Sequence, residues 1–361
     1  MKKNAVIALF SLLLVGVMVL SACAPAAEPT AAVETVVVQE VVQQTVVVEV
    51  EKVDPAEGYK LASIYPGVIT DADYNTLGHL ASTAVQSDLG VEMSYSEAVA
   101  VPDVDRVMRE YIDGGYNIIF AHGGQFLTAV MDLAPQFPEV AFICEVDNPV
   151  ENQPENLWLI DRNFHTPFYV IGYIAAKTTQ TGKIGYIGGL NMPFTFQERH
   201  AVEQAIADSG MDVEFVHEVT GDFNDPTKGR QVADTMIGQG VDVIIGSMNL
   251  GMLGIFEGAK AASTETEKVL VSAKYIDKKN FAPNNYMTSA LYDFTDPLKE
   301  IVTRIMEGEM GGYYNLEFGK GVNIQMPLSN VDPALDAEAA QIIDKILSGE
   351  IVVVKDSTPY E

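Results

Sequence analysis

Two stretches of this chain follow one plan, and that plan constrains the fold more than any other feature. Gly182–Ala207, GKIGYIGGLNMPFTFQERHAVEQAIA, reads as a short apolar strand over Lys183–Ile187, a Gly-rich turn, an irregular loop holding Phe194 and Phe196, and an amphipathic helix. Lys60–Ala84, KLASIYPGVITDADYNTLGHLASTA, repeats that order. Strand, loop and helix in sequence make a βα unit, and open parallel sheets bind ligands at the carboxyl ends of such strands. Two copies, each opening on a loop with polar and aromatic residues, predict two α/β lobes with a cleft between them.

The rest of the chain supports this reading. Apolar runs of strand length at Leu61–Tyr65, Val91–Tyr95, Asn117–Ala121, Val140–Val146 and Leu157–Ile160 alternate with helical periodicity at Asn75–Leu89, Val104–Gly115 and Gln125–Gln136. A helix follows at Thr166–Gln180, where Pro167 suits the first turn. The second copy continues through strand Val213–His217, helix Pro226–Gln239, strand Val241–Ile245, helix Gly251–Ala262 and strands Lys268–Ala273 and Tyr286–Leu291. Helix Pro297–Met306, a β-hairpin over Tyr314–Met326 and a closing helix Pro333–Leu347 complete it. Strands alternating with helices mean parallel βαβ units, so the fold class is α/β with two doubly wound parallel-sheet lobes. Crossovers are expected near Asp161–Pro167, Leu291–Pro297 and Gly319–Val322. They divide the globular part into one lobe of residues 58–165 with 292–320 and another of 166–291 with 321–361. Closure on a ligand would then be a hinge motion.

A chain of 361 residues can bury two such cores. The balance of 50 acidic against 22 basic residues gives a formal charge of −28, which repels phosphate backbones and excludes nucleic acid as a partner. At the start, Lys2 and Lys3 precede the apolar run Ala5–Leu20, and Leu20-Ser21-Ala22-Cys23 follows. This describes an export signal over residues 1–22. The last four residues resemble a bacterial lipobox, which implies lipidation of Cys23 and a protein anchored on the outer face of the cell membrane. The competing reading is an uncleaved membrane anchor, since the run is nearly long enough to span. Cys144, in the apolar run VAFICEV, is then without a partner and reads as a buried thiol. Residues 23–57 form a tether. Its first part, APAAEPTAAVE, should be extended, and its second, TVVVQEVVQQTVVVEVEKV, is strand-prone.

Five stretches in order carry a resemblance to a known family. They are Asp71-Ala72-Asp73-Tyr74-Asn75, GGYNIIFAHGGQFLTAVMDLAPQFPEVAF, YVIGYIAAKTTQTGKIGYIGG, TGDFNDPTKGRQVADTMIGQGVDVII, and the Thr288-Ser289 strand leading to Asp296. Through them residues 58–330 resemble the basic membrane protein (BMP) family of ABC-transporter substrate-binding lipoproteins, which includes purine-nucleoside receptors. The resemblance implies two lobes of type I periplasmic-binding-protein architecture, an ABC permease as membrane partner, no cofactor, and a purine nucleoside or nucleobase held between aromatic rings. A neutral flat base suits such a site, because its faces stack on aromatics while polar groups read its edge.

Carried across by motif, Tyr74 and Phe223 are the stacking candidates, Asn75 and Asp147 the polar readers, and Gly251 the point of close backbone approach; Asp73, in the same motif, is a further ligand-binding candidate. Each also has a plain structural role open to it. Tyr74 could be a loop tyrosine and Phe223 a plug between lobes. Asp147 precedes Asn148-Pro149 as a turn residue would, and Asn75 suits a helix N-cap. Phe194 and Phe196 suit core and ligand face equally. This chain departs from the nucleoside-binding members at two positions. Lys274, with Asp277 three residues on, stands where those members place a sugar-binding Asp, and Tyr292 stands where they place a Lys. A carboxylate accepts hydroxyl bonds, whereas an ammonium only donates. That leaves open a bare base, a differently substituted nucleoside, or an anion that Lys274 would meet.

Residues for catalysis are not assembled in the sequence. The glycine positions of a nucleophile elbow around Ser247 are held by Ile245 and Asn249, and neither Gly182-Lys183 nor Gly319-Lys320 completes a P-loop. His79, His122, His165, His200 and His217 show no metal-ligand spacing, so no metal is expected. The alternative to an uptake receptor is a sensor lipoprotein with the same fold and ligand.

Overall fold

The structure is a computed structural model and describes residues 56–360. The expected export signal, Cys23 and nearly all of the tether lie outside the described residues.

The first sheet is built from β1 (Lys60–Ile64), β2 (Glu92–Ser96), β3 (Ile118–Ala121), β4 (Ala141–Val146) and β5 (Leu157–Asp161). The second is built from β6 (Lys183–Gly188), β7 (Glu214–Val219), β8 (Val243–Ser247), β9 (Leu270–Tyr275) and β10 (Tyr286–Tyr292). Three short late strands finish both: β11 (Gly312–Asn315), β12 (Glu317–Phe318) and β13 (Gly321–Ile324). The first sheet runs in the order β11-β5-β4-β3-β1-β2, with every neighbouring pair parallel. The second runs β12-β13-β10-β9-β8-β6-β7, parallel from β10 to β7, with β13 antiparallel to β10. β3, β4 and β5 are buried at every position, as strands covered on both faces must be.

Helices α1 (Tyr74–Leu89), α2 (Val104–Asp113) and α3 (Leu127–Leu133) serve the first sheet. The second is served by α4 (His165–Thr178), α5 (Pro193–Ser209), α6 (Pro226–Gly238), α7 (Met252–Ala262) and α9 (Ala334–Leu347). α8 (Thr295–Met306) returns to the first sheet and packs against α1. The result is two α/β lobes with parallel sheets.

The chain passes between the lobes three times, after β5, after β10 and between β11 and β12. Two features correct the sequence reading. Tyr314–Met326 is not a single hairpin: β11 pairs with β5 in the first sheet, while β12 and β13 belong to the second. The third crossing therefore falls at Leu316, before Gly319–Val322, because Tyr314 and Leu316 are buried on the two sides of the crossing and hold it there. Phe194 and Phe196 stand in the first turn of α5 and not in a loop. Pro193 opens that turn, and the Thr195 hydroxyl accepts the Met192 N–H at 3.0 Å, which caps the helix two residues before the Thr195–Ser209 span that periodicity suggests.

After α9 the chain runs back across both lobes without regular structure. The Lys355 ammonium pairs with Asp161 at the end of β5 and meets Asn163 at 3.0 Å. Ser357 sits between Gln197 of α5 (2.8 Å) and Asn148 of the first lobe (2.9 Å). Tyr360 stacks on His200 with ring centres 4.4 Å apart. Gln197 also donates directly to the Asp147 carbonyl at 2.8 Å, so the lobes are held close together. Cys144 is fully buried and its thiol is free; burial pushes that thiol well above its ordinary range.

Candidate functional site

A cavity of about 360 Å³ lies between the lobes, and the residues that follow the carboxyl ends of the strands form its wall. From the first lobe come Pro66, Gly67, Tyr74 and Asn75 after β1, Gln125 after β3, and Arg162 after β5. From the second come Leu190, Met192 and Phe194 after β6, Phe223 and Asn224 after β7, Asn249 after β8, and Lys274 with Tyr275 at the end of β9. Parallel sheets leave these ends free, because each strand there gives way to a loop that must climb to the next helix. A larger depression of about 670 Å³ lies beside the crossovers, lined by Asp277, Asp293, Asp296 and Glu300 among others. It stands mostly outside the ring of strand ends, so the smaller cavity is the candidate site.

The walls are aromatic. In the second lobe, Phe194 and Phe223 stack with centres 5.9 Å apart and planes 23° from parallel. Gly189 makes room for this, since a Cβ there would fall 2.2 Å from the Phe223 ring. In the first lobe, Tyr74 stacks on His122 at 3.9 Å and 22°. His122 Nε2 donates to the Tyr74 carbonyl at 2.9 Å, and Nδ1 lies 2.5 Å from the Glu145 carboxylate. Glu145 in turn accepts the Gly123 N–H at 2.5 Å. All of this is buried, so the plane of Tyr74 is set from behind. Burial pushes the Tyr74 hydroxyl well above its ordinary range, and it has no hydrogen-bond partner among the described residues.

Tyr275 adopts φ of +75°, a left-handed conformation that costs a non-glycine residue on the order of 1–3 kcal/mol. The turn it makes brings both Lys274 and Tyr275 to the cavity, whereas consecutive residues of a straight strand point to opposite faces.

Three buried ion pairs surround the cleft. Arg162 Nη2 and Nε meet Asp147 at 2.5 and 3.1 Å, and the guanidinium lies 5.0 Å from the Phe164 ring centre and 5.3 Å from that of Phe194. The Lys274 ammonium is boxed by Phe194, Phe164, Tyr275 and Phe223, with ring centres 4.5, 4.8, 5.0 and 5.8 Å away. Its carboxylate partner is Glu198 on α5 at 3.4 Å, which also accepts the Tyr186 hydroxyl at 2.6 Å. Burial lowers Lys274 and raises Glu198, and each opposes that shift in the other. The third pair, Asp73 with Lys278 at 2.8 Å, joins the two lobes directly. Burial pushes the Asp73 carboxyl up to about 7 against the pull of Lys278.

Among the seven ligand candidates named from the sequence, Tyr74, Asn75, Phe223 and Lys274 line the cavity. Asp73 and Asp147 are not among the lining residues; each is paired with a cation, Lys278 and Arg162 respectively. Gly251 also lies off the cavity: its N–H donates to the Phe223 carbonyl at 3.0 Å, and a Cβ there would strike Met248, so it supports the Phe223 loop. Asn75 is not the N-cap of α1. It lies inside the helix and donates to Asp71 at 2.7 Å, while Asp71 accepts the N–H groups of Asp73, Asn75 and Thr76 and so caps the end itself. Tyr292 is buried behind the site, and Phe196 turns away toward Arg199, whereas Phe194 faces the cavity. Sequence reasoning missed Arg162, Tyr275, Gln125, Asn224 and Asn249. Each follows or ends a strand, so the carboxyl-end rule applied to every strand would have found them.

Among the described residues no group of His, Cys, Asp and Glu is placed to hold a metal, and no helix is long and apolar enough to cross a membrane.

A two-lobed α/β protein whose cleft is walled by strand-end aromatics, amides and buried cations is a small-molecule binding protein in architecture. Comparison gives the family. A family model described as "ABC transporter substrate-binding protein PnrA-like" matches residues 59–357, and the chain belongs to that family. Basic membrane protein A2 of Borrelia garinii subsp. bavariensis is 27% identical over 317 residues, covering 84% of this chain and 90% of the relative. A solute-binding protein of an ABC transporter system from Aeropyrum pernix K1 superposes with a TM-score of 0.71 at 20% identity, covering 82% of this chain and 94% of the other. One from Conexibacter woesei gives 0.67 at 19% identity, covering 82% and 99%. These likenesses show the fold, the periplasmic-binding-protein type of two-lobed solute-binding proteins.

Proposed function

We propose that this protein captures a purine nucleoside or nucleobase in the interlobe cleft and delivers it to an ABC permease, held at the outer face of the membrane by lipid on Cys23. The observation that carries the ligand class is the pair of facing walls: Phe194 and Phe223 on one lobe, Tyr74 braced by His122 on the other. Such walls suit a flat conjugated ring, and the amides of Gln125, Asn224 and Asn249, which line the same cavity, supply donors and acceptors for its edges. A thermal-shift screen of the purified protein against nucleosides, free bases, sugars and small anions tests this, because a ligand of the folded state raises the melting temperature. The expected result is a rise with a nucleoside or base and none with sugars. Silence from every heterocycle would sink the reading. For the ligand that scores, Phe223→Ala should weaken binding by about 1–3 kcal/mol, roughly 5- to 150-fold, as read by calorimetry.

A further inference from the structure

The cavity wall carries two side-chain cations and, among the described residues, no carboxylate. Arg162 stands on the first lobe and Lys274 on the second, both nearly fully buried and both at the wall. Every acid nearby is behind one of them or occupied elsewhere. Asp147 is bound to Arg162, Glu198 to Lys274, and Asp73 to Lys278. Asp71 is taken up by the backbone of α1.

The cations retain donors. An ammonium has three N–H groups, and Lys274 directs one to Glu198 over a long 3.4 Å. A guanidinium has five, and Arg162 gives Asp147 two. The remaining polar wall is made of amides, which adapt to donor or acceptor. Arg162 also acts on Lys274 as a like charge across the cleft, a repulsion that an anion between them would relieve. A vicinal diol would find no carboxylate here to accept its hydroxyls, whereas an ionised oxygen would find two donors in a box of low polarity, where such bonds are strong.

We propose that the cleft selects a flat heteroaromatic anion, an oxopurine or a ring carboxylate, whose charged edge bridges Arg162 and Lys274, and that Lys274 is the residue that sets this preference over a neutral nucleoside. The proposal rests on the reading that the cleft takes a flat ring, and narrows it.

Calorimetry at pH 8 with urate, orotate, adenine and adenosine tests it, on the protein and on its Lys274→Met and Lys274→Arg variants. Methionine keeps an unbranched chain in the aromatic box without the charge. The protein is expected to bind urate or orotate at least tenfold more tightly than adenine or adenosine. Lys274→Met should abolish that ratio and Lys274→Arg should restore part of it. Urate alone assigns the oxopurine, and orotate alone assigns the carboxylate. Binding of adenine or adenosine as tight as that of the anions would overturn the proposal and leave the receptor reading standing. An unchanged ratio in Lys274→Met would overturn it likewise. Silence from all four would overturn the proposal, and the broader thermal-shift screen then decides the receptor reading. The ratio in the unaltered protein decides the matter even if a variant fails to fold.

Discussion

Replacing Lys278 by methionine is expected to open the cleft at pH 8 and let it close again at pH 5. Lys278 is the cation that faces Asp73 across the lobes, at 2.8 Å and in a site from which water is nearly excluded. Removing one partner of a buried pair costs about 3–5 kcal/mol, because the other charge is left uncompensated. Here the protein can avoid that cost by parting its lobes and hydrating Asp73, so the loss appears as a closed-to-open ratio lowered by roughly 150- to 5,000-fold. The sign of the pH effect follows from Asp73. Its carboxyl is pushed up to about 7 in the closed form. In the open form it returns toward its free value of about 4. Closing therefore takes up a proton between those values, and closure weakens as pH rises through them. Without Lys278 the closed-form carboxyl rises further, so the variant should suffer most above pH 7 and recover once Asp73 is protonated. Small-angle scattering at both pH values reads this directly. An equal radius of gyration for variant and parent at pH 8 would rule out the pair as a latch.

Glu198→Ala should behave differently, although it too breaks a buried pair. Glu198 and Lys274 belong to one lobe, so opening the cleft does not part them, and Glu198, fully buried on α5 behind Lys274, gains no route to water that way. The Tyr186 hydroxyl loses its acceptor in the same step. The cost of about 3–5 kcal/mol should then appear as global unfolding stability, measured by urea titration, with the scattering profile unchanged. Removing the ammonium as well, in a Glu198→Leu and Lys274→Met double variant, should recover much of it. Two apolar side chains in a buried site are often as stable as the ion pair they replace. If Glu198→Ala cost less than 1 kcal/mol, Lys274 would have to be neutral in the folded protein.

The difference between these two pairs could not be read from the chain. Asp73 and Lys278 are 205 positions apart, and Lys274 and Glu198 are 76 apart. Local pattern speaks to neither separation. Lys274 was visible as a departure from the family pattern, but its partner and its box of rings were not, because Glu198 is one acid among fifty. Asp147 reads as a ligand contact through the family resemblance, yet the geometry pairs it with Arg162 at the end of the neighbouring strand.

What the sequence determined by itself is the succession of strands and helices, and with it the parallel sheets and the location of the cleft. Alternating βα units leave little choice. Each strand is a short apolar run, each helix has a 3.6-residue stripe, and the connection between parallel strands must pass over a face. The carboxyl ends are then where loops from both lobes meet, and Tyr74, Asn75, Phe223 and Lys274, named from the family resemblance, all follow or end a strand there. The tertiary structure alone decided which strand-end residues line the cavity and which stand behind it, where the third crossing falls, and that Tyr275 turns left-handed to present its neighbour. Those outcomes depend on packing between segments far apart in the chain. A buried charge must find whatever counter-charge the fold brings within reach, and nothing in its own neighbourhood of sequence names that partner.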